Sequence, residues 1–386
     1  MQATSHAART ADLCLVGGGL VGLAVGLGLQ RNGLKVTILD EGDIALRASR
    51  GNFGLVWVQG KGDTLPDYAS ITRHSARLWP QLAQRLQEGT GIDIELQQRG
   101  GLYLCLSEQE LSARETLLLQ MQQQVGDDYP FQRLDLKQVR EFIPQAGPEV
   151  AGATWCPEDG HLNPLRLLRA LTELFVRQGG QIQNSGRVSR ITPLTRGFRL
   201  ATPQGDWHCD KVVLSAGLGN RELAPQVGLS APLIPNRGQV LITERVQPFL
   251  HYPTGHVRQT GEGTVQIGDS KEDVGFDSGT TTEVMAQIAA RATRMFPLLR
   301  DLRMVRAWGA LRIMTADGYP IYQASTQHPG AYLVTCHSGV TLGALHEGPV
   351  ADWIATGDLN TNTNTNTNTN SYRFPLEAFH ARRFEI

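Results

Sequence analysis

The chain has few cysteines and no long apolar run, and its charges nearly cancel. Its 386 residues include 5 cysteines without any C-x-x-C spacing, so neither a disulfide framework nor a cysteine metal site is indicated. No apolar stretch is long enough to span a bilayer, and the first twelve residues lack the apolar core of a secretory signal. The formal net charge of −1 gives no reason to expect nucleic acid or an anionic membrane as partner. These absences favour the reducing cytoplasm.

The length and composition that remain are those of a globular protein. A chain of 386 residues with 41% hydrophobic and 19% charged residues is long enough for about two domains.

A glycine motif near the N-terminus gives the strongest signal. Gly17, Gly19 and Gly22 form G-x-G-x-x-G directly after the apolar run 13–16. In a strand–turn–helix unit the first glycine turns the chain, the second admits a pyrophosphate and the third lets helix and strand pack closely. The helix start, with Leu20 and Val21, directs N–H groups and its positive dipole end at phosphates. The motif therefore predicts a dinucleotide site.

An acidic residue follows the next predicted strand. Residues 36–39 form a short apolar run that ends at Asp40, eighteen positions after Gly22 (22 to 40). A carboxylate at this place bonds a ribose 2′-hydroxyl in dinucleotide-binding folds. The alternative is an ordinary acid at the start of a loop, and the spacing favours the ribose role.

Several segments have clear helix signals. Residues 67–88 have a helical pattern with a kink or break at Pro80 and a stop at Gly89. Asn163 and Pro164 predict an N-cap and first turn. Further along, Thr280-x-x-Glu283 is a capping box for a helix that reaches about residue 296. A last helix follows Cys336-His337-Ser338-Gly339 and reaches about residue 354, with a kink at Pro349.

Strand signals alternate with these helices. Residues 211–215 predict a buried strand that runs into Ala216-Gly217, a turn suited to a second backbone approach to a dinucleotide. Residues 238–243, 255–259 and 264–268 alternate like antiparallel strands. The order of these blocks predicts a mixed α/β protein with two interleaved domains. The strict Thr-Asn alternation at 360–370 predicts a polar loop without chemistry.

Five ordered blocks resemble the D-amino acid oxidase superfamily of FAD-dependent amine oxidoreductases. They are GGGLVG with Asp40, then ASRGNFG, LNPLRLLRALTELFVRQGGQI and VVLSAG, and finally LRIMTADGYPIY followed by LVTCHSGVTLG. GNFGLVWVQGKG and CHSGVTL look most like the bacterial D-hydroxyproline and opine dehydrogenase FAD subunits. The resemblance implies a Rossmann-like FAD-binding domain (1–75, 145–235 and 305–386) interleaved with an antiparallel-sheet substrate domain (76–144 and 236–304).

The resemblance also implies cofactor contacts, residue by residue. The glycine motif would hold the FAD pyrophosphate, Asp40 with Glu41 the adenosine ribose, and Ala216-Gly217 the diphosphate from the other side. Val188 would contact the adenine through its backbone. Near the flavin ring the implied residues are Ser49, Gly51, Asn52 and Phe53, together with Gly339, Val340, Thr341 and Leu342. FAD is expected to bind without a covalent link, since Cys336 is more simply interpreted as a small buried residue.

Arg312 is the implied partner of a substrate carboxylate. Arginine is mostly a surface or structural residue, but bidentate geometry and the surrounding motif favour substrate binding. His256 and Arg258 lie on a strand expected to face the flavin, although solvent-facing positions are commoner in such sheets, and His256 is taken as a second substrate candidate. Lys61 and Lys271 are interpreted as solvated charges, and His337 as a hydrogen-bonding residue at a strand end. No metal site and no protein acid or base is predicted.

The expected activity is oxidation of an amino acid or secondary-amine acid, such as D-hydroxyproline, proline or an opine. The α-carbon would give a hydride to flavin N5, leaving an imine that hydrolyses. A dehydrogenase is favoured, which would pass its electrons to a quinone or a partner subunit. Because the cysteines of this chain do not match an iron–sulfur cluster, a partner would have to supply that relay. The alternatives are an oxygen-using glycine or sarcosine-type oxidase, a subunit active only in an assembly, and an NAD-dependent dehydrogenase, which the first motif alone allows. The expected location is cytoplasmic or peripheral to the inner membrane, and oligomerisation is left open.

Overall fold

The computed structural model describes residues 9–42, 48–126, 128–184, 186–268, 270–361 and 372–385. Within these ranges the strands, in chain order, are β1 Arg9–Val16, β2 Val36–Leu39, β3 Leu55–Val56, β4 Gly101–Cys105, β5 Gln132–Asp135, β6 Gly152–Cys156, β7 Gly160–His161, β8 Gln181–Gln183, β9 Arg190–Pro193, β10 Phe198–Thr202, β11 Gly205–Leu214, β12 Ile234–Arg245, β13 Val257–Gln259, β14 Thr264–Ile267, β15 Met304–Met314, β16 Ile321–Ala324, β17 Ala331–Thr335, β18 Asn360–Thr361 and β19 Tyr372–Arg373.

The helices of the same ranges alternate with these strands. They are α1 Leu20–Arg31, α2 Pro66–Thr90, α3 Glu108–Val125, α4 Leu136–Phe142, α5 Pro164–Arg177, α6 Asn220–Leu223, α7 Thr282–Met295, α8 Gly343–Leu345 and α9 Ala351–Thr356. A π-helical turn, His346–Val350, joins α8 to α9.

A mostly parallel sheet forms the centre of the first layer, in the order β16-β17-β11-β1-β2-β8. The strands β11, β1 and β2 are parallel neighbours, and β10 and β9 extend β11 as an antiparallel flap. Residues 13–16, 36–39 and 212–214 of the three parallel strands are buried and, apart from Thr37, apolar, as expected for strands covered on both faces. The two buried faces belong to separate hydrophobic clusters, one of which includes α1, α2 and α5.

Two antiparallel sheets form the second part of the structure. The order of the larger one is β13-β14-β12-β15, and the smaller one is β4-β6-β5. A bridge between Leu102 and Thr254 connects them, and residues of both sheets share one apolar cluster with α7. The mixed α/β architecture predicted from the sequence is confirmed.

The strand pairing bears on the proposed domain boundaries. β6 pairs with β4 and β5, and β15 pairs with β12. The sequence-based division placed β6 and almost all of β15 in the FAD-binding segments. If membership of a sheet defines a domain, both strands belong to the substrate domain. We therefore propose the same division with β6 and β15 moved from the FAD-binding domain to the substrate domain.

Helix α2 differs from its prediction. It continues through Pro80 and ends at Thr90, where Gly91 takes a left-handed conformation with φ +75°. The lost hydrogen bond at Pro80 is tolerated because one face of the helix, including Trp79 and Leu86, is buried in the core. Gly89 is inside the helix and serves packing, since a Cβ there would lie 2.5 Å from Cδ1 of Leu174.

Three further local predictions need correction. The N-cap of α7 is Thr281 and not Thr280. Its side chain makes no capping bond, because its hydroxyl accepts from Nε2 of Gln239 (3.2 Å) instead. The helix after residue 339 begins only at Gly343. The kink predicted at Pro349 is confirmed, since the preceding residue, Gly348, has non-helical backbone angles. Asn360 and Thr361 pair with β19, so they form a strand, while 362–370 of the Thr-Asn segment lie outside the described residues.

Two kinds of feature are missing from the described ranges. No helix there combines the length and apolar character needed to cross a membrane. No group of three or more His, Cys, Asp and Glu side chains there is arranged to hold a metal ion.

Close backbone packing holds α1 against the C-terminal helical segment. A Cβ at Gly28 would lie 2.0 Å from the carbonyl oxygen of Glu347 and 2.5 Å from Cβ of Ala351. On the same side Arg31 Nε donates to Glu347 (3.2 Å), which also accepts from Arg85 (2.6 Å). Only glycine at position 28 allows this approach.

We therefore expect G28A to destabilise the fold by about 3 kcal/mol, because the added methyl group overlaps a backbone carbonyl that cannot rotate away. Denaturant unfolding followed by circular dichroism measures the change. G219A is the matched control: its Cβ would meet only Cβ of Ala216 at 3.6 Å, so its unfolding free energy should stay within about 0.5 kcal/mol. Equal effects of the two variants would contradict the packing argument.

Candidate active site

The predicted glycine turn is packed too tightly for side chains. Gly17 has φ +104°, and a Cβ there would lie 2.5 Å from the carbonyl oxygen of Ser215. A Cβ at Gly22 would lie 2.0 Å from the carbonyl oxygen of Gly17. The N-cap of α1 is Gly19, which has no side-chain cap. The turn therefore presents backbone at the positive end of a 12-residue helix, as a pyrophosphate requires.

Two side chains fix this turn from outside. Oδ2 of Asp40 accepts the N–H of Gly18 (2.7 Å), and its Oδ1 accepts the N–H of Gly42 (2.8 Å). The hydroxyl of Ser49 accepts the N–H of Leu20 (2.9 Å). Asp40 thus orients the turn directly, which adds to the ribose contact predicted for it.

The ribose and adenine candidates lie around the end of β2. The N–H of Gly186 donates to the carbonyl oxygen of Asp40 (2.7 Å), which brings the segment with Val188 beside the acidic residue. Glu41 lies 3.7 Å from Nε of Arg187. Val188 is itself buried. The structure therefore brings Asp40, Glu41 and the segment around Val188 together.

The second predicted backbone approach lies directly against the glycine turn. The hydroxyl of Ser215 donates to the carbonyl oxygens of Val16 (3.0 Å) and Gly17 (3.1 Å). The next two residues are Ala216, whose N–H donates to Asn220 (3.0 Å), and Gly217, with φ +58°. Both sequence-predicted turns therefore meet at the carboxyl ends of β1 and β11.

A cleft of about 950 Å³ opens between this region and the large antiparallel sheet. Much of its wall comes from residues 48–63, from the strands β12 and β15, and from His337, Ser338, Val340 and Thr341. Of the predicted site residues the cleft brings together Gly51, Asn52, Phe53, His256, Arg312, Val340 and Thr341. The pyrophosphate and ribose candidates do not line it, and neither do Gly339 and Leu342. Gly339 instead faces Val21, since a Cβ at position 339 would lie 3.4 Å from Cγ2 of Val21.

Arg312 is held in one position on the sheet wall. Its Nη1 donates to Oδ1 of Asn236 (3.1 Å), the residue opposite it on β12. Nδ2 of Asn236 in turn donates to Asp273 (2.8 Å). The guanidinium lies over Gly238, and a Cβ added to Gly238 would lie only 2.4 Å from Nη2 of Arg312. A fixed, planar cation of this kind suits a carboxylate.

The loop opposite the sheet is fastened by its own turn and by Trp308. Nε1 of Trp308 donates to the carbonyl oxygen of Gly51 (3.3 Å). Oδ1 of Asn52 accepts the N–H of Gly54 (2.7 Å), and Gly54 has φ +89°. Residues 51–54 therefore form a defined wall of the cleft.

The floor of the cleft rests on a buried carboxyl group. Asp159, which is 0% exposed, accepts the N–H groups of Val58 (2.5 Å) and Gln59 (3.2 Å). Burial raises the pKa of Asp159 to about 7. Neighbouring residues of the same loop, Trp57 and Gly60, line the cleft, so Asp159 shapes the floor from behind.

Residues 339–342 have partly different contacts from those predicted. The N–H of Leu342 donates to the carbonyl oxygen of Ser338 (2.9 Å), and its side chain is fully buried. The hydroxyl of Thr341 accepts the N–H of Trp57 (3.1 Å). The N–H of Leu342 is therefore already used, which contradicts its predicted contact with a ligand, while the contacts of Gly339, Val340 and Thr341 stay predictions.

Several residues of the cleft were missed or interpreted differently. Lys61 Nζ donates to the hydroxyl of Ser338 (2.9 Å), as does the hydroxyl of Tyr68 (2.9 Å). Burial, with the positive charges of Lys61, Arg312 and Lys271, holds the pKa of His337 well below its ordinary value. His337 is therefore neutral at physiological pH.

Other missed residues come from distant segments. Tyr103 on β4 packs against His256, with ring centroids 5.2 Å apart, and both line the cleft. Lys271, which also lines it, lies next to the ion pair between Arg237 and Glu272 (2.7 Å). Charge or aromaticity was visible in the sequence, but only the fold shows which of these side chains face one space. Burial raises the pKa of the Cys336 thiol to about 12.

Known proteins of one family resemble the chain over most of its length. The family model for FAD dependent oxidoreductases (DAO) matches residues 12–348. The chain is 43% identical to an opine oxidase subunit of Agrobacterium tumefaciens (strain Ach5), over 97% of each chain. It is 42% identical to the corresponding opine oxidase subunit of Rhizobium meliloti, over 97% of this chain and 98% of the relative. The crystal structure of glycine oxidase from Geobacillus kaustophilus superposes with a TM-score of 0.84 and 25% identity, over 90% of this chain and 95% of that one.

The glycine turn gives a direct test of cofactor binding. We expect G22A to lose most of its bound FAD, because the added Cβ would push the carbonyl of Gly17 into the space of the pyrophosphate. The ratio of FAD absorbance to protein measures this loss after purification. G219A, which has room for a methyl group, is the control, and full retention of FAD by G22A would contradict the assignment.

Proposed function

The chain belongs to the DAO family of FAD-dependent oxidoreductases, and we propose that it oxidises a secondary-amine amino acid whose carboxylate binds Arg312. D-hydroxyproline, proline and opine-like compounds are the proposed substrates. The observation that carries the proposal is the fixed guanidinium of Arg312 on the wall of the cleft, oriented by Asn236 and Gly238.

The residues present fit FAD. The glycine turn leaves no room for Cβ atoms at Gly17 and Gly22, and we propose that it holds the pyrophosphate at the start of α1. Asp40 and Glu41 would contact the ribose, Val188 the adenine, and Ala216-Gly217 the second side of the diphosphate. Ser49 to Phe53 and Gly339 to Thr341 would contact the flavin. The thiol of Cys336, with its raised pKa, supports non-covalent binding.

When bound, FAD supplies the two-electron acceptor for a hydride from the α-carbon of the substrate. The protein contributes position. Arg312 holds the carboxylate, while His256, Tyr103 and the wall at residues 51–54 limit how the rest of the amino acid can lie. The neutral His337 does not add to the positive charge of Lys61, Lys271 and Arg312 in the cleft, so a substrate amine meets less repulsion. Hydrolysis of the product imine needs no protein group.

We propose that electrons leave through a partner subunit or a quinone, which makes the protein a dehydrogenase within a larger assembly. The support is that two relatives over 40% identical are named as subunits of an enzyme. The competing activity is an oxidase that passes electrons to oxygen. The word oxidase in the relatives' names favours it, and so does Lys61 in the cleft, since lysine near a flavin can promote reaction with oxygen.

Anaerobic reduction of the flavin tests the proposed activity. We expect one member of a panel to bleach the flavin band of the purified protein: D-proline, L-proline, D-hydroxyproline, sarcosine, glycine or an opine. Recovery of the band on admitting air indicates an oxidase, and a band that stays bleached indicates a dehydrogenase. If the FAD-loaded protein is bleached by none of them, the proposal fails for these substrates when the protein is alone.

Replacing Arg312 tests the carboxylate contact. We expect R312L to raise KM about 10- to 100-fold, the loss of one charge-assisted contact, while FAD stays bound. G238A should also raise KM, since its methyl group displaces the guanidinium without removing the charge. K271L, which removes another cation lining the cleft, is the matched control and should change KM by less than about threefold. An unchanged KM in R312L would reject the role of Arg312.

A further inference from the structure

A buried arginine lies behind the wall of the cleft without a partner for its charge. The side chain of Arg258 is 3% exposed. Among the described residues its Nε has no hydrogen-bond partner, and the guanidinium forms no ion pair there. Burial lowers the pKa of Arg258 to about 10, which leaves it charged at neutral pH. A desolvated charge of this kind is costly unless something compensates it.

The strand geometry places Arg258 on the cleft side of the sheet. His256 and Arg258 are two residues apart, and Val257 between them packs into the core on the other face. His256 lines the cleft. Arg258 pairs across the strands with Gln266, then Ile242, then Arg306. Its side chain is therefore on the same face as Arg312, but further along the strands.

Phe53 separates Arg258 from the open part of the cleft. The guanidinium lies 5.9 Å from the centroid of the Phe53 ring, and its Nη2 would lie 3.0 Å from a Cβ on Gly54. Phe53 lines the cleft and is one of the residues proposed to pass close to the flavin. The charge of Arg258 therefore acts on the cleft through one aromatic ring, in a buried region where screening is weak.

The charged and polar groups around Arg258 do not neutralise it. Glu95 is the acid whose charge acts on Arg258, but its carboxylate is paired with Arg166 (3.3 Å) and accepts from Asn163 (3.3 Å). His161 is buried at 4% exposure, and neither of its ring nitrogens has a partner among the described residues. Burial and the charge of Arg258 lower the pKa of His161 to about 3, so it is neutral.

We propose that Arg258 is a fixed positive charge behind Phe53 that stabilises the negative charge which the flavin gains on reduction. A cation near the flavin ring tunes its electronics, and Arg312 is already placed for a carboxylate. The inference rests on the proposed placement of the flavin beside residues 49–53. In this role Arg258 acts on the flavin through its charge and does not need to touch the substrate.

The midpoint potential of the bound flavin tests this inference without any amino-acid substrate. We expect R258M to lower the equilibrium constant for two-electron reduction about tenfold, a shift of about 30 mV to more negative potential. R258K should stay within about threefold of the wild type because it keeps the charge. Dye-coupled reduction of the FAD-loaded proteins measures the potentials, and R258Q carries the test if R258M loses its FAD.

Two controls separate this role from a structural one. R306M removes the same charge from an exposed position in the same cross-strand row, so its potential should match the wild type. The thermal unfolding midpoint of R258M should be unchanged or higher, since a desolvated charge without a partner is removed. A lower unfolding midpoint with an unchanged potential, or an equal shift in R306M, would overturn the proposal.

A last measurement distinguishes flavin from substrate as the anion that Arg258 serves. Pyrrole-2-carboxylate, which has no oxidisable α-hydrogen, should bind R258M and the wild type with the same Kd. A weaker Kd in R258M with an unchanged potential would assign the charge to the substrate carboxylate and overturn the proposal. Failure of every amino acid to bleach the flavin rejects the proposed function, but it leaves the potentials of these variants interpretable.

Discussion

The close contact of backbone with backbone at the end of β1 is the constraint on which the rest of the structure depends. Gly17 and Gly22 leave no room for side chains beside Ser215, and Asp40 and Ser49 fix the N–H groups around them. This packing brings the carboxyl ends of β1, β2 and β11 to one edge of the sheet. A dinucleotide is bound at such an edge because N–H groups and the positive end of α1 meet there.

The cleft is a separate construction, made of segments far apart in the chain. The sheet wall supplies Arg312, with Asn236 and Gly238 to hold it, and the opposite wall is fastened to the sheet by Trp308. Among the described residues, the cations Lys61, Lys271 and Arg312 line the cleft together with the acids Asp63 and Asp273, and a further cation, Arg258, lies behind Phe53. The low pKa of His337 has burial as its first cause and this positive charge as its second. With Arg258 included, these cations outnumber the two acids, which suits an amino-acid carboxylate and a reduced flavin.

Local rules failed where tertiary packing was stronger than local preference. Pro80 does not break α2, because the buried face of that helix holds it in the core, and Gly89 is a packing position for Leu174 instead of a stop. Thr280-x-x-Glu283 has the form of a capping box, but the helix has Thr281 as its N-cap, and the hydroxyl of Thr281 accepts from Gln239 on β12. Leu342 was predicted to offer its N–H to a ligand, and the local turn already uses it. Each error comes from a partner distant in sequence or from a turn with no signature.

The sequence by itself determined the mixed α/β class, the dinucleotide turn and the family, because these depend on short-range spacing that is written in consecutive residues. The glycines, Asp40 and the five ordered blocks are of this kind. Only the tertiary structure decided that Tyr103, Lys61, Asn236 and Gly238 share one cleft with Arg312, and that Arg258 is buried behind its wall. Those facts depend on which faces of separate strands and loops meet, and the pairing of distant segments leaves no local pattern in the chain.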